Sequence, residues 1–360
     1  LMPSENFFPF DEISDFISEY EACRYVIASR PEPSDSLKST FALSELEKLT
    51  DEKIRLFIEK YVPNKRQAKL LKARSRGEIQ SKPILQNPLL LYLWLKLSTA
   101  HMGRRGKHEG VQHFSFFDSI PFVRAEIYQA FVSRLFKDYR IRGEFFGSRD
   151  HLPRKVSFEK ISSEKAPDGR TDFQEPSVER TDIENVLMNL AFKLQCKNKV
   201  SCKYSYALEV AEAYIEASKS GRITEFSKTE FSKIECSKTE CNKSGRITEC
   251  SRSDRLKAGK LLQACLELGI LIRKNSKVKF GINRVFQEYF AALKLKTYFE
   301  NGMDISKAFR NPRWENVIML TSDLLESGDE LVNLMVSSGN LYLASKCAGR
   351  ASPETKGKLC

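Results

Sequence analysis

None of the nine cysteines in this 360-residue chain stands at CxxC spacing, and the four histidines (His101, His108, His113, His151) fall at no ligand spacing. A zinc site of the usual Cys/His kind is therefore not expected. Nine thiols, an odd number, make no disulfide framework either. Cys23, Cys196, Cys265 and Cys347 lie in apolar surroundings and read as small buried hydrophobes, while Cys236, Cys241 and Cys250 belong to a repeat. With no signal peptide at the start, unpaired thiols point to a reducing, cytoplasmic setting. Long apolar runs are also missing. The most apolar stretch, PLLLYLWLKL at 88–97, is interrupted by Lys96 and is well short of the ~20 residues that cross a bilayer. It reads as a buried helix, and no membrane partner is expected.

The chain also lacks a phosphate-gripping loop. GxxxxGK[ST] occurs nowhere, so no backbone cradle for β- and γ-phosphates is encoded. No apolar strand ends in paired acids that could hold Mg²⁺. Asp11-Glu12 comes nearest, but the preceding SENFFPF has no strand character. These residues alone therefore carry no phosphoryl-transfer machinery.

What is present is a basic chain of two or three modules with an ample core. Net charge is +12, pI is near 9.2, and phenylalanine occurs 24 times. Such a balance favours anionic partners, although scattered lysines are also the ordinary covering of a solvated surface.

Residues 11–20 carry apolar positions at helical spacing (Ile13, Phe16, Ile17, Tyr20), and a short β-rich run follows at 25–28. Pro31 forces Arg30 out of helix and ends that strand. Helix followed by buried strand is the unit of an α/β sheet. Thr50 caps a helix bearing Ile54, Phe57, Ile58 and Tyr61. A basic helix is expected over 63–80 and the buried helix over 87–98, opened by Asn87-Pro88. A Gly/His/Arg loop occupies 101–118, and Pro121 starts an amphipathic helix to about Tyr139. Residues 143–178 read as a flexible insertion.

Helices are expected at 180–196 and 205–218. Between them and the next helix lies a repeat, EFSKT-EFSKI-ECSKT-ECNKS, with SGRITE at both 220–225 and 244–249. A period of five fits neither helix nor strand, so 220–253 reads as a flexible, low-complexity insertion. A helix over 256–268 ends at Gly269. Runs 270–273 and 278–280 flank Asn275-Ser276 as a hairpin, and a helix follows over 283–298. Beyond Asn311 only short-linked helices appear (314–325, 330–336, 341–348), as in an α-solenoid. The start at Leu-Met-Pro and the end at Cys360 both read as cuts through a larger protein.

Three stretches, in this order, resemble the NACHT family of signal-transducing P-loop ATPases: CRYVIASRP at 23–31, NPLLLYLWL at 87–95 and VFQEYFAALKL at 285–295. The last is the most specific. Its Phe286, Tyr289, Phe290 and Leu293 form the expected buried stripe, Ala291 and Ala292 permit close helix packing, and Gln287 and Glu288 are expected outside.

The resemblance implies a chain that is mainly α with a small α/β remnant. Residues 1–48 are the end of a P-loop NTPase core, 49–142 a helical domain, 179–300 a winged helix, and 301–360 the start of an α-solenoid. It implies nucleotide contacts from Arg30, which would sense a γ-phosphate, from Pro88, against the base, and from Asn283. Many family members have a diphosphate-contacting His at the position of Asn283, so the charge is lost there. ATP or ADP with Mg²⁺ is implied for a full-length parent, and tight binding by this chain is not expected. Implied partners are an upstream NTPase core and effector domain, with homo-oligomerisation at full length.

Two other readings stand beside this one. A basic winged-helix protein would bind nucleic acid, favoured by the charge and by KRQAKLLKARSR at 65–76. Non-specific nucleic acid is a partner class that the charge allows under either reading. The third is an inactive product of a truncated gene.

Overall fold

The computed structural model describes residues 17–20, 25, 44, 46–81, 83–103, 123–145, 179–220, 251–281 and 284–359. The strand expected at 25–28 (apart from Tyr25), Arg30, Asn283, and most of 101–118, 143–178 and 220–253 lie outside these residues. The chain divides into two compact units, residues 1–50 and 51–360. In the first, the Tyr25 hydroxyl donates to the Tyr20 carbonyl at 2.6 Å, beside a helical turn over 17–19.

The second unit is mainly helical with one small sheet. Its first helices are α1 (Asp51–Tyr61), α2 (Lys65–Ser81) and α3 (Pro88–Gly103), with a 3₁₀ turn at Pro83–Gln86 between the last two. Asn64 and Asn87 act as caps. The Asn64 side chain accepts from Gln67 N, and that of Asn87 from Leu89 N and Leu90 N, satisfying amides that a helix start leaves open.

Helix α3 is apolar on every side because it serves two cores. Leu90, Leu93 and Leu97, spaced three and four apart, join the large core of the unit. Leu91, Trp94 and Leu95 are equally buried but on another side. There the Arg74 guanidinium of α2 sits 5.9 Å from the Trp94 ring, and Tyr61 of α1 meets Tyr92 edge-on at 5.5 Å. Lys96, the interrupting charge, is exposed and stands over the rings of Tyr61 and Tyr92. α3 runs through Gly103, so the first residues expected as loop are helical. No proline intervenes after Pro88, and the apolar run has momentum for one more turn.

Helix α4 (Arg124–Phe145) likewise extends three residues into the expected 143–178 insertion. Then come α5 (Arg180–Cys196), β1 (Ser201–Lys203), α6 (Tyr204–Lys219), α7 (Arg252–Glu267), β2 (Leu271–Lys274) and β3 (Lys277–Phe280). The sheet is antiparallel in the order β1-β3-β2. Asn275 has φ +56°, the left-handed backbone that Asn tolerates and a two-residue hairpin loop demands. Helix α7 starts four residues earlier than expected, inside the assumed insertion. The Ser251 hydroxyl accepts from Asp254 N and caps it. Its end follows expectation, at Gly269 with φ +71°.

Helix α8 (Arg284–Glu300) runs through the centre. After it come α9 (Ser306–Phe309), a 3₁₀ turn at Pro312–Trp314, α10 (Glu315–Leu324), α11 (Asp329–Ser337), α12 (Leu341–Cys347), a 3₁₀ turn at Ala348–Arg350, and α13 (Pro353–Gly357). Phe192 of α5 meets Tyr298 of α8 and Trp314 edge-on at 5.1 and 5.2 Å. Tyr128 and Phe131 of α4 pack on Phe286 at 5.6 and 5.8 Å. Among the described residues no helix is long and apolar enough to cross a membrane.

Candidate functional site

Of the three residues expected to meet a nucleotide, only Pro88 is described. It opens α3 and is exposed, directly after the Asn87 cap. Arg30 and Asn283 lie outside the described residues. Among the described residues no group of His, Cys, Asp or Glu could hold a metal ion.

Helix α8 corrects one expectation outright. Gln287 and Glu288, expected on an outer face, are 1% and 2% exposed. An amphipathic reading assumes one covered face, whereas α8 is enclosed by α4, α5, β3 and α10. Phe286, Tyr289, Phe290, Ala291 and Ala292 are buried as expected, and Leu293 is half-buried.

Both buried polar side chains are matched. Gln287 Nε2 donates to the Lys199 carbonyl at 3.0 Å and faces Gln195 Oε1 at 3.5 Å. Gln195 Nε2 donates in turn to the Arg313 carbonyl at 2.7 Å. This amide relay ties α8 to α5, to the turn before β1 and to the 3₁₀ turn before α10. Glu288 Oε1 lies 3.4 Å from Arg284 Nε, one turn earlier on the same helix.

Three charges of the helix preceding the hairpin pair with neighbouring helices. Arg255 pairs with Glu212 at 3.2 Å and Lys257 with Asp182 at 2.9 Å, while Asp254 pairs with Lys219. Asp182 also accepts from the Tyr214 hydroxyl at 2.9 Å, and burial together with that carboxylate pushes the Tyr214 phenol up to about 12. Arg255 and Lys257 thus link α7 to α6 and α5.

A second charge group joins α4 to the last helices. Arg124 lies 3.7 Å from Asp323, and Arg350 pairs with Glu126 while donating to the Leu325 carbonyl at 3.1 Å. Burial pushes the Asp323 carboxyl up, against the pull of Arg124 and Arg350.

The three-stranded sheet presents a different arrangement. Lys203 of β1 stands opposite Lys277 of β3, which stands opposite Lys274 of β2. Lys279 lies two residues along β3 on the same side, while Val278 and Phe280 face the core. Sequence reading missed this row. The alternating lysines of KVKF were legible, but Lys203 joins them only through the pairing of β1 with β3.

No protein-family model matches the sequence, and no curated protein matches it.

Proposed function

We propose that the chain is the regulatory part of a NACHT-type NTPase switch, without hydrolytic activity of its own. The observation that carries this reading is the helix that holds the VFQEYFAAL run. It lies at the centre of its unit, directly after an antiparallel hairpin. The order α5-β1-α6-α7-β2-β3, with the strands arranged β1-β3-β2, is that of a winged helix. In this reading α1–α4 form the helical domain and the helices after α8 begin a sensing solenoid. Packing of Tyr128 on Phe286, and the Arg124–Asp323 and Arg350–Glu126 pairs, would make these parts move together.

Nucleotide would be held chiefly by residues of an NTPase core, with Arg30, Pro88 and Asn283 as this chain's own contribution. A bound nucleotide with Mg²⁺ would supply the ATP-to-ADP cycle. Pro88 suits a base contact, being an exposed, rigid apolar ring with no competing amide donor.

The test is the reading frame upstream of Leu1 in the encoding gene. The expected result is a GxxxxGK[ST] loop followed by an apolar strand ending in acidic residues. Purified 360-residue chain should show no ATP turnover above background. Turnover that survived Arg30→Ala would sink the proposal. The DNA-reading alternative is not favoured, because Arg255 and Lys257 of the pre-hairpin helix are engaged by Glu212 and Asp182.

A further inference from the structure

We propose that the exposed face of the β1-β3-β2 sheet is a sequence-indifferent binding surface for the phosphodiester backbone of nucleic acid. The inference stands on this face alone and does not depend on the switch reading. Lys203, Lys277 and Lys274 occupy one cross-strand row, which places neighbouring Cα atoms about 5 Å apart. Lys279 follows about 7 Å along β3 on the same face. All four are exposed, and among the described residues none of them forms an ion pair. Like charges set directly opposite one another destabilise a sheet. A face that stacks three in a row, with no carboxylate against them, has a built-in deficit that an anion relieves.

The surroundings extend the surface. Lys197 and Lys199 lie on the turn leading into β1, and Lys197 stands 4.3 Å from the Tyr206 ring. Arg273, paired with Val278 and so on the other side of β2 from the row, lies exposed at the sheet edge, 4.5 Å from the Tyr204 ring, and donates to the Asn275 carbonyl. The aromatic rings hold these two cations in place.

The kind of partner follows from what the face lacks. Docking on a bilayer needs apolar side chains that enter the acyl boundary. The hairpin tip is instead Asn275-Ser276, and Ile272 is the one large apolar residue exposed on the three strands. Base reading needs forked or amide side chains at a groove. Here the row is lysine, a point charge that neutralises phosphate without regard to sequence.

The experiment uses the full chain and fluorescent random-sequence oligonucleotides, single- and double-stranded, titrated at several salt concentrations between about 50 and 200 mM. The test variant is Lys203→Glu/Lys274→Glu, in which both new glutamates stand opposite Lys277. A matched control, Lys65→Glu/Lys69→Glu, changes two exposed lysines of α2. Parallel titrations use vesicles containing phosphatidylserine.

The expected result is micromolar or weaker binding that falls steeply with salt. The sheet variant should bind at least about tenfold more weakly and reduce the salt slope by about two, while the α2 control binds like the parent. The sheet variant should also melt at the same temperature as the parent or higher, because each new glutamate faces a lysine. A merely structural role for the lysines would lower melting instead. Equal loss in both variants, unchanged binding in the sheet variant, or binding to vesicles but not to oligonucleotides would each overturn the proposal.

Discussion

Gln287 and Gln195 stand 92 positions apart in sequence, yet Gln287 Nε2 lies 3.5 Å from Gln195 Oε1 inside the protein. Their amides complete a relay from the Lys199 carbonyl to the Arg313 carbonyl. A polar pair that reads from sequence as surface is therefore part of what holds four segments in register.

Replacing Gln287 by Leu leaves the buried Gln195 Oε1 and the part-buried Lys199 carbonyl without this donor. The expected loss is ~1–3 kcal/mol, the cost of stranding a buried polar group. Gln287→Glu should be worse than Gln287→Leu, since a carboxylate cannot donate to the carbonyl and adds a buried charge. Denaturant unfolding of the two variants checks both the size and the order.

The partly exposed Arg284 and the buried Glu288 form a charged contact along α8. Arg284→Glu would set two carboxylates together where one is 2% exposed, and is expected to destabilise by on the order of 3 kcal/mol. The paired exchange Arg284→Glu/Glu288→Arg should recover part of that loss. A double-mutant cycle on melting showing no coupling between the two positions would contradict the pairing.

Asp329 provides a pH dependence whose direction is set by geometry. Its carboxylate accepts from Ser352 N at 2.8 Å and from the Ser327 hydroxyl at 2.9 Å. With the Thr355 hydroxyl as the leading cause, these bonds hold its pKa well below the usual carboxylate value. An acid with a depressed folded pKa contributes stability above its unfolded pKa, about 4, and loses it as pH falls further. Asp329→Ala should therefore melt below the parent at pH 7, and the gap should close below about pH 4. A gap that stays constant between pH 7 and pH 2.5 would rule out the carboxylate as its source.

Cys265 and Cys347 are buried, and burial raises both thiols, Cys347 to about 12. The thiolate is the reactive form, so neither should react with iodoacetamide at neutral pH in the native chain. Both should label after denaturation. Mass mapping of labelled peptides reads the two sites separately from the other cysteines, and rapid native labelling at either would count against the packing described.

Much of the local structure was legible in the sequence. Asn87-Pro88 and the apolar run announced α3, Gly269 announced the end of α7, and Asn275-Ser276 announced the hairpin, each through backbone chemistry within a few residues. Boundaries slipped where a weaker local signal was overlooked, as with Ser251, which caps α7 inside what reads as repeat. Of the proposed nucleotide contacts, Pro88 was placed and found exposed.

The sequence by itself determined which segments are helical, where the hairpin turns and that the chain is strongly basic, because propensity, capping and turn chemistry act between near neighbours. Tertiary structure alone decided the rest. Strand β1, three residues of Ser-Cys-Lys, has no strand pattern of its own and exists through its pairing with β3. The burial of Gln287 and Glu288 depends on α4, α5, β3 and α10 all packing against α8. The lysine row depends on register, which is set by Val278 and Phe280 turning into the core and leaving Lys277 and Lys279 outside, opposite residues distant in the chain.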